Sequence, residues 1–155
     1  MNLKYGNHGE VKCMRGKVHD YLGMTLDFTK EGEVAVDMAD YFASMVDESP
    51  FSIGSKAAPT PAGEDLFAQD EKSPLLSEKK KMDFHTLVAK GLFVCRRARP
   101  DIHTMIAALC TRVQAPTDKD WEKLERLLKY LNGTRNERLV LKADSLNVQK
   151  WYMDA

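Results

Sequence analysis

Apolar residues recur along this chain with two different periods, and the change from one to the other predicts its elements. From Lys17 to Phe28, the residues Val18, Tyr21, Leu22, Met24, Leu26 and Phe28 nearly alternate with polar ones, the spacing of a strand with one covered face. Gly23 within that run predicts a bulge or a close backbone approach. Glu10 to Gly16 reads as a preceding strand, Thr29 to Gly32 as a turn, and Glu33 to Val36 as the start of a third strand. Asp37 then stands at an N-cap position, with Tyr41, Phe42, Met45 and Val46 along one side of a helix that stops by Pro50.

Residues 51–81 carry no period. Ala57-Ala58-Pro59-Thr60-Pro61-Ala62-Gly63 is turn-rich, so the segment predicts a linker between a β-rich lobe and a helical one. Beyond it the period becomes helical: Phe84, Leu87, Val88, Gly91, Leu92, Cys95 and Ala98, then Ile102, Met105, Ile106, Leu109 and Val113 up to Pro116. Thr117 with Asp120 three residues on predicts a capping box, followed by the stripe Trp121, Leu124, Leu127, Leu128 and Leu131. Asn132-Gly133 predicts a left-handed helix stop. Short connectors make these three helices a bundle. Leu139 to Leu141 and Val148 to Met153 predict a terminal hairpin turning at Asp144-Ser145. The fold class is therefore α+β: a β-hairpin lobe, a three-helix bundle and a terminal β-hairpin.

Composition narrows the class of protein. A chain of 155 residues with 43% hydrophobic and 30% charged content suits one ordinary domain or two small lobes. No apolar run approaches the roughly 18 residues of a membrane span. The N-terminus lacks the apolar core of a signal peptide. Cys13, Cys95 and Cys110 are widely spaced and include no C-x-x-C pair, which argues against a disulfide framework or zinc site and for a reducing intracellular setting, cytoplasmic or nuclear. Histidines, serines and glycines form no metal, nucleophile-elbow or phosphate-loop pattern.

The net charge of zero hides an asymmetry. Residues 30–78 hold 3 Lys/Arg against 11 Asp/Glu, a net of −8, whereas residues 79–142 hold 15 against 7, a net of +8. A basic half points to a polyanion-facing surface, or to ordinary solvated helix faces. Lys90, Arg96, Arg97 and Arg99 are candidate phosphate contacts. Arg96, Arg97 and Arg99 also sit near a helix C-terminus, where the helix dipole favours cations. Leu22, Gly23 and Met24 are candidates for a second reason, since a glycine in a strand admits a sugar–phosphate backbone.

Ala98-Arg99-Pro100-Asp101-Ile102 and Lys129-Tyr130-Leu131-Asn132-Gly133-Thr134 carry a family resemblance. In their order and spacing they resemble the Thr-Arg-Pro-Asp-Ile and Leu-Lys-Tyr-Leu-Lys-Gly-Thr segments of copia-type LTR retrotransposon reverse transcriptases, part of the pol polyprotein. Asp20 to Leu26 resembles that family's Tyr-Phe-Leu-Gly-Ile-x-Ile primer-gripping hairpin. Asp40 to Val46 is similar to the helix after it, and Trp151-Tyr152-Met153-Asp154-Ala155 to the Tyr-x-Asp-Ala strand that opens ribonuclease H. Phe84-His85, Lys90-Gly91, Asn132 and the 51–81 segment depart from the family pattern.

The resemblance implies that residues 1–50 are the end of a palm, 51–81 a linker, 82–134 a thumb-like bundle and 135–155 the start of a ribonuclease H domain. It implies an RNA or DNA primer–template duplex and the rest of the pol polyprotein as partners. Asp154 would be the first catalytic, metal-binding carboxylate of ribonuclease H, with magnesium as the cofactor of the intact enzyme and none in this fragment. The Tyr-Val-Asp-Asp polymerase centre is expected upstream of this chain, which predicts no polymerase activity here. The alternative is a small non-enzymatic helical module that binds protein or nucleic acid.

Overall fold

The computed structural model describes residues 15–54, 57–68, 70, 72–145, 147–149 and 151. Three strands, β1 (Val18–Tyr21), β2 (Met24–Asp27) and β3 (Glu33–Asp37), form an antiparallel meander. Helix α1 (Ala39–Asp47) follows directly, then α2 (Glu78–Cys95), a single 3-10 turn (Pro100–Ile102), α3 (His103–Cys110) and α4 (Asp118–Gly133). Strand β4 (Leu139–Lys142) ends the regular elements. The chain is α+β.

The run Lys17–Phe28, expected as one strand with a bulge at Gly23, is instead two strands joined by a two-residue turn. Tyr21 pairs with Met24, leaving Leu22 and Gly23 between them with φ of 50° and 76°. Positive φ at both central residues is what a type I′ hairpin turn needs, because its twist matches that of the flanking strands. Glycine adopts it freely. Leucine adopts it only against a steric cost.

Strand β4 corrects the expected terminal hairpin. It pairs antiparallel with β3, from Glu33 opposite Lys142 to Val36 opposite Leu139, and makes a fourth strand of the same sheet. Among the described residues of 147–151 no strand faces it. Charge holds this register as well as backbone pairing: Arg138 Nε lies 2.7 Å from Asp37, and Lys142 Nζ lies 3.2 Å from Glu33.

The helical stripes meet as their spacing predicts. Phe84, Leu87 and Val88 of α2, Ile106 and Leu109 of α3, and Leu124, Leu127, Leu128 and Leu131 of α4 are all buried. Phe42 and Met45 of α1 and Val36 of β3 join the same cluster, so one core spans both expected lobes. Gly91 is where α2 and α3 come closest, since a Cβ there would stand 2.4 Å from Ile106 Cδ1. The Thr117–Asp120 capping box forms at the start of α4: the Asp120 carboxylate accepts from the Thr117 amide at 2.9 Å, and Thr117 Oγ1 accepts from the Asp120 amide. Asp37 caps α1 from one residue further out than expected, its Oδ1 accepting the Ala39 amide at 2.7 Å.

The segment expected to be a linker is laid along α4. Arg126 donates to Thr60 Oγ1 at 2.9 Å, Lys123 to the Ala68 carbonyl at 2.8 Å, and the Asp118 amide to the Pro74 carbonyl at 2.9 Å. Phe51 packs on Trp121 with ring centroids 4.5 Å apart. Gly133 belongs to this contact rather than to a left-handed stop. It is absent from the positive-φ glycines, and a Cβ on it would stand 2.3 Å from Ala57 Cβ.

Candidate nucleic-acid interface

The two motifs from opposite ends of the helical region meet in space. Arg99 is 2% exposed, and its guanidinium is held by a fork of bonds: Nε to Asp101 Oδ1 at 2.9 Å and Nη2 to Asp101 Oδ2 at 2.7 Å. Nη1 donates to the Thr134 carbonyl at 3.1 Å and Nη2 to Thr134 Oγ1 at 2.7 Å. The Tyr130 hydroxyl donates to Asp101 Oδ2 at 2.8 Å, which closes the network. A planar guanidinium presenting donors in a fixed fork suits this role, and lysine would not replace it. Burial pushes the Asp101 carboxyl up, but the bonds from Arg99 and Tyr130 outweigh it and hold the group below its ordinary value. Arg99, a candidate phosphate contact by sequence, is thus a tie between the start of the 3-10 turn and the end of α4. A buried guanidinium with four of its five donors already engaged is poorly placed to take a phosphate as well.

The other candidates fall on a different face. Leu22 is 61% exposed at the tip of the β1–β2 turn, whereas Met24 is half-buried against the core. Below the turn lies Tyr41 of α1: a Cβ on Gly23 would meet its Cδ2 at 3.9 Å, ordinary contact. Tyr41 stacks on Phe93 of α2 with centroids 5.1 Å apart and planes 28° apart. The Arg97 guanidinium covers Phe93 in turn, its Cζ 3.7 Å from the ring centroid, and Nη1 donates to the Phe93 carbonyl at 3.2 Å. Gly23, Tyr41, Phe93 and Arg97 therefore form one continuous column. Arg96 beside it is exposed and has no ion pair among the described residues. Lys90, six residues earlier, is paired with Glu48.

About half of the cations in the basic half have a carboxylate partner. Arg138 and Lys142 pair with Asp37 and Glu33, Arg112 with Asp120, Lys119 with Glu122 and Lys129 with Glu125. The face near the turn is also not uniformly positive. A cleft between the hairpin and α1 is lined by Asp20, Asp37 and Asp40. Gly23 and Tyr41 line the same cleft.

Compared with curated proteins, the chain is 28% identical over 140 residues to a Saccharomyces cerevisiae protein named "Putative transposon Ty5-1 protein". The chain is similar to a transposon protein. The match covers 90% of this chain and 44% of that protein, so the chain spans less than half the length of its relative. No family model matches, and no solved structure matches.

The likeness to a transposon protein extends over the hairpin, the column and the Arg99 tie alike. Among the described residues, no group of three or more His, Cys, Asp or Glu side chains is placed to hold a metal ion. Asp154 lies outside the described residues. Burial raises the thiols of Cys95 and Cys110 above their ordinary value; Cys13 is outside the described residues. No helix among the described residues is long and apolar enough to cross a membrane.

Sequence reasoning named Gly23 and Arg97 but missed Tyr41 and Phe93, which join them. These two read as an apolar helix position and an unremarked phenylalanine. Only the packing of α1 on α2 brings them together.

Proposed function

We propose that this chain is a nucleic-acid-holding part of a copia-type retrotransposon RNA-directed DNA polymerase, the reverse transcriptase of a pol polyprotein. The observation that carries the reading is the column from the Gly23 turn to Arg97. It puts a tight, glycine-containing hairpin tip and the Arg97 guanidinium on one surface, where a primer–template duplex can lie. Gly23 beside the exposed Leu22 leaves room at the tip for a sugar–phosphate backbone, and an arginine holds phosphate without reading bases. The similarity to a transposon protein over nine-tenths of the chain supports the same reading.

In this proposal the Leu22–Gly23 hairpin is the primer-gripping element and the α2–α4 bundle is the thumb. The segment carrying Asp154 would lead into ribonuclease H. The 155 residues contain no Tyr-Val-Asp-Asp sequence. Nucleotide addition would need palm carboxylates and magnesium supplied by the rest of the polyprotein. The extensive pairing of the basic half favours a second reading, a non-enzymatic module whose cations serve only its own fold.

Fluorescence anisotropy with RNA–DNA hybrids of two unrelated sequences tests the proposal. Both should bind with affinities equal to within about twofold, because phosphate contacts carry no sequence information. A primer-extension reaction with magnesium and nucleotides should give no product from this chain alone. Template-dependent extension, or no hybrid binding at low salt, would overturn the assignment.

A further inference from the structure

We infer that Tyr41 and Phe93 are positioning residues: their stacked rings fix the separation between the Leu22–Gly23 turn and the Arg97 guanidinium, so that both meet the backbone of the same nucleic-acid strand. The inference rests on the reading that this face takes nucleic acid.

The geometry of the column sets the span. The gap that a Cβ on Gly23 would close to Tyr41, the Tyr41–Phe93 stack and the Arg97–Phe93 stack together place turn and guanidinium at most about 16 Å apart, the reach of a few nucleotides along one strand. One strand can reach both ends.

Each end of the column is also stiff. The turn is tight, with positive φ at both of its central residues. Arg97 lies flat on Phe93 with one donor on the Phe93 carbonyl. A guanidinium has five N–H donors, so its outward edge can still offer a pair to a phosphate. Because the side chain is already ordered, binding costs it little further rotamer freedom. Arg96, exposed and unstacked, supplies charge without such order.

Tyr41 and Phe93 touch no strand directly in this arrangement. Phe93 has Tyr41 on one face and Arg97 on the other, so neither face is open for a base to stack on. Their effect passes through the groups at the two ends. Arg97→Lys separates position from charge, since lysine keeps the cation and loses the planar stack. Tyr41→Leu breaks the other joint, and Tyr41→Phe keeps the ring.

The test measures the affinity of the full chain for a mixed-sequence RNA–DNA hybrid with a recessed 3′ end, across a salt series, with thermal melting alongside. Arg97→Lys should weaken binding about fivefold, from loss of an ordered cation–π contact, with an unchanged salt slope. Tyr41→Leu should weaken it similarly, and Tyr41→Phe should bind as the parent does. The double variant Arg97→Lys/Tyr41→Leu should be little worse than either single one, because both break the same column.

If Tyr41→Leu does not fold, Arg97→Lys at its half-exposed position decides alone. Parent-like binding by Arg97→Lys, with loss only in Arg96→Ala/Arg97→Ala, would overturn the positioning role and leave the proposed function standing. No salt-dependent binding by the parent would overturn both.

Discussion

The tie around Arg99 and the column ending in Arg97 use the same residue type at the same helix end and distribute its donors differently. Arg99 is buried, with Asp101 and Thr134 taking its guanidinium from several directions. Arg97 lies on a ring at the surface and gives one hydrogen bond to a carbonyl. The difference shows that arginine in a family-like motif is not by itself a nucleic-acid contact. Counting which donors the fold has already used separates the arginine that holds the protein from one that can hold a ligand. The same accounting trims the excess charge of the basic half only in part, through Lys90, Arg138 and Lys142, which pair with Glu48, Asp37 and Glu33 outside it.

The largest effect should come from breaking the tie. Asp101→Ala leaves the Arg99 charge buried without its carboxylate, at a cost of about 3 kcal/mol in urea unfolding, the low end for a broken buried pair because Asp101 is half-exposed. Arg96→Ala, on the open face, should stay within about 0.5 kcal/mol of the parent. Equal losses in the two variants would erase the contrast between the regions.

Acid should act on the tie in a fixed direction. The folded Asp101 carboxyl lies below its ordinary 3.8, so its contribution is complete above that value. It is lost as pH falls through the lowered folded value, because the unfolded chain then binds the proton more readily. The parent should therefore lose stability more steeply below about pH 4 than Asp101→Asn does. Parallel pH profiles would mean that the bonds from Arg99 and Tyr130 do not hold the carboxylate in solution.

On the binding side, Arg96→Ala/Arg97→Ala should lower duplex affinity about tenfold at low salt and bring the salt slope about 1 to 2 units nearer zero. The parent slope should itself be shallow, on the order of −2 to −4, since only a few cations can meet one duplex from a single face. Asp40 should give the smallest change. It is exposed beside Tyr41 on the acidic side of the turn, and Asp40→Asn should strengthen binding about twofold by removing repulsion. Weaker binding in that variant would place the strand on the wrong side of Tyr41.

Regions with a local period were legible in the sequence. The stripes on α2 and α4 and the Thr117–Asp120 box follow from spacing alone, because a helix repeats within a few residues, whereas α3 ends at Cys110, short of the expected stop at Pro116. What escaped depends on distant partners. Nothing near Leu139 says that it will face Val36 across the sheet, nor anything near Phe51 that it will meet Trp121. The turn at Gly23 escaped for a local reason, since a leucine at positive φ is rare and alternation continues through it. The site was half legible: its charged end and its glycine stood in motifs, while Tyr41 and Phe93 meet only through the packing of α1 on α2.

Amide-resolved NMR mapping during titration with an RNA–DNA hybrid tests the division of labour between these two regions most directly. Shifts should concentrate at Leu22, Gly23, Tyr41, Phe93, Arg96 and Arg97, while Arg99, Asp101, Tyr130 and Thr134 stay in place. Shifts centred on the Arg99 tie, with the Gly23 turn unmoved, would contradict the account.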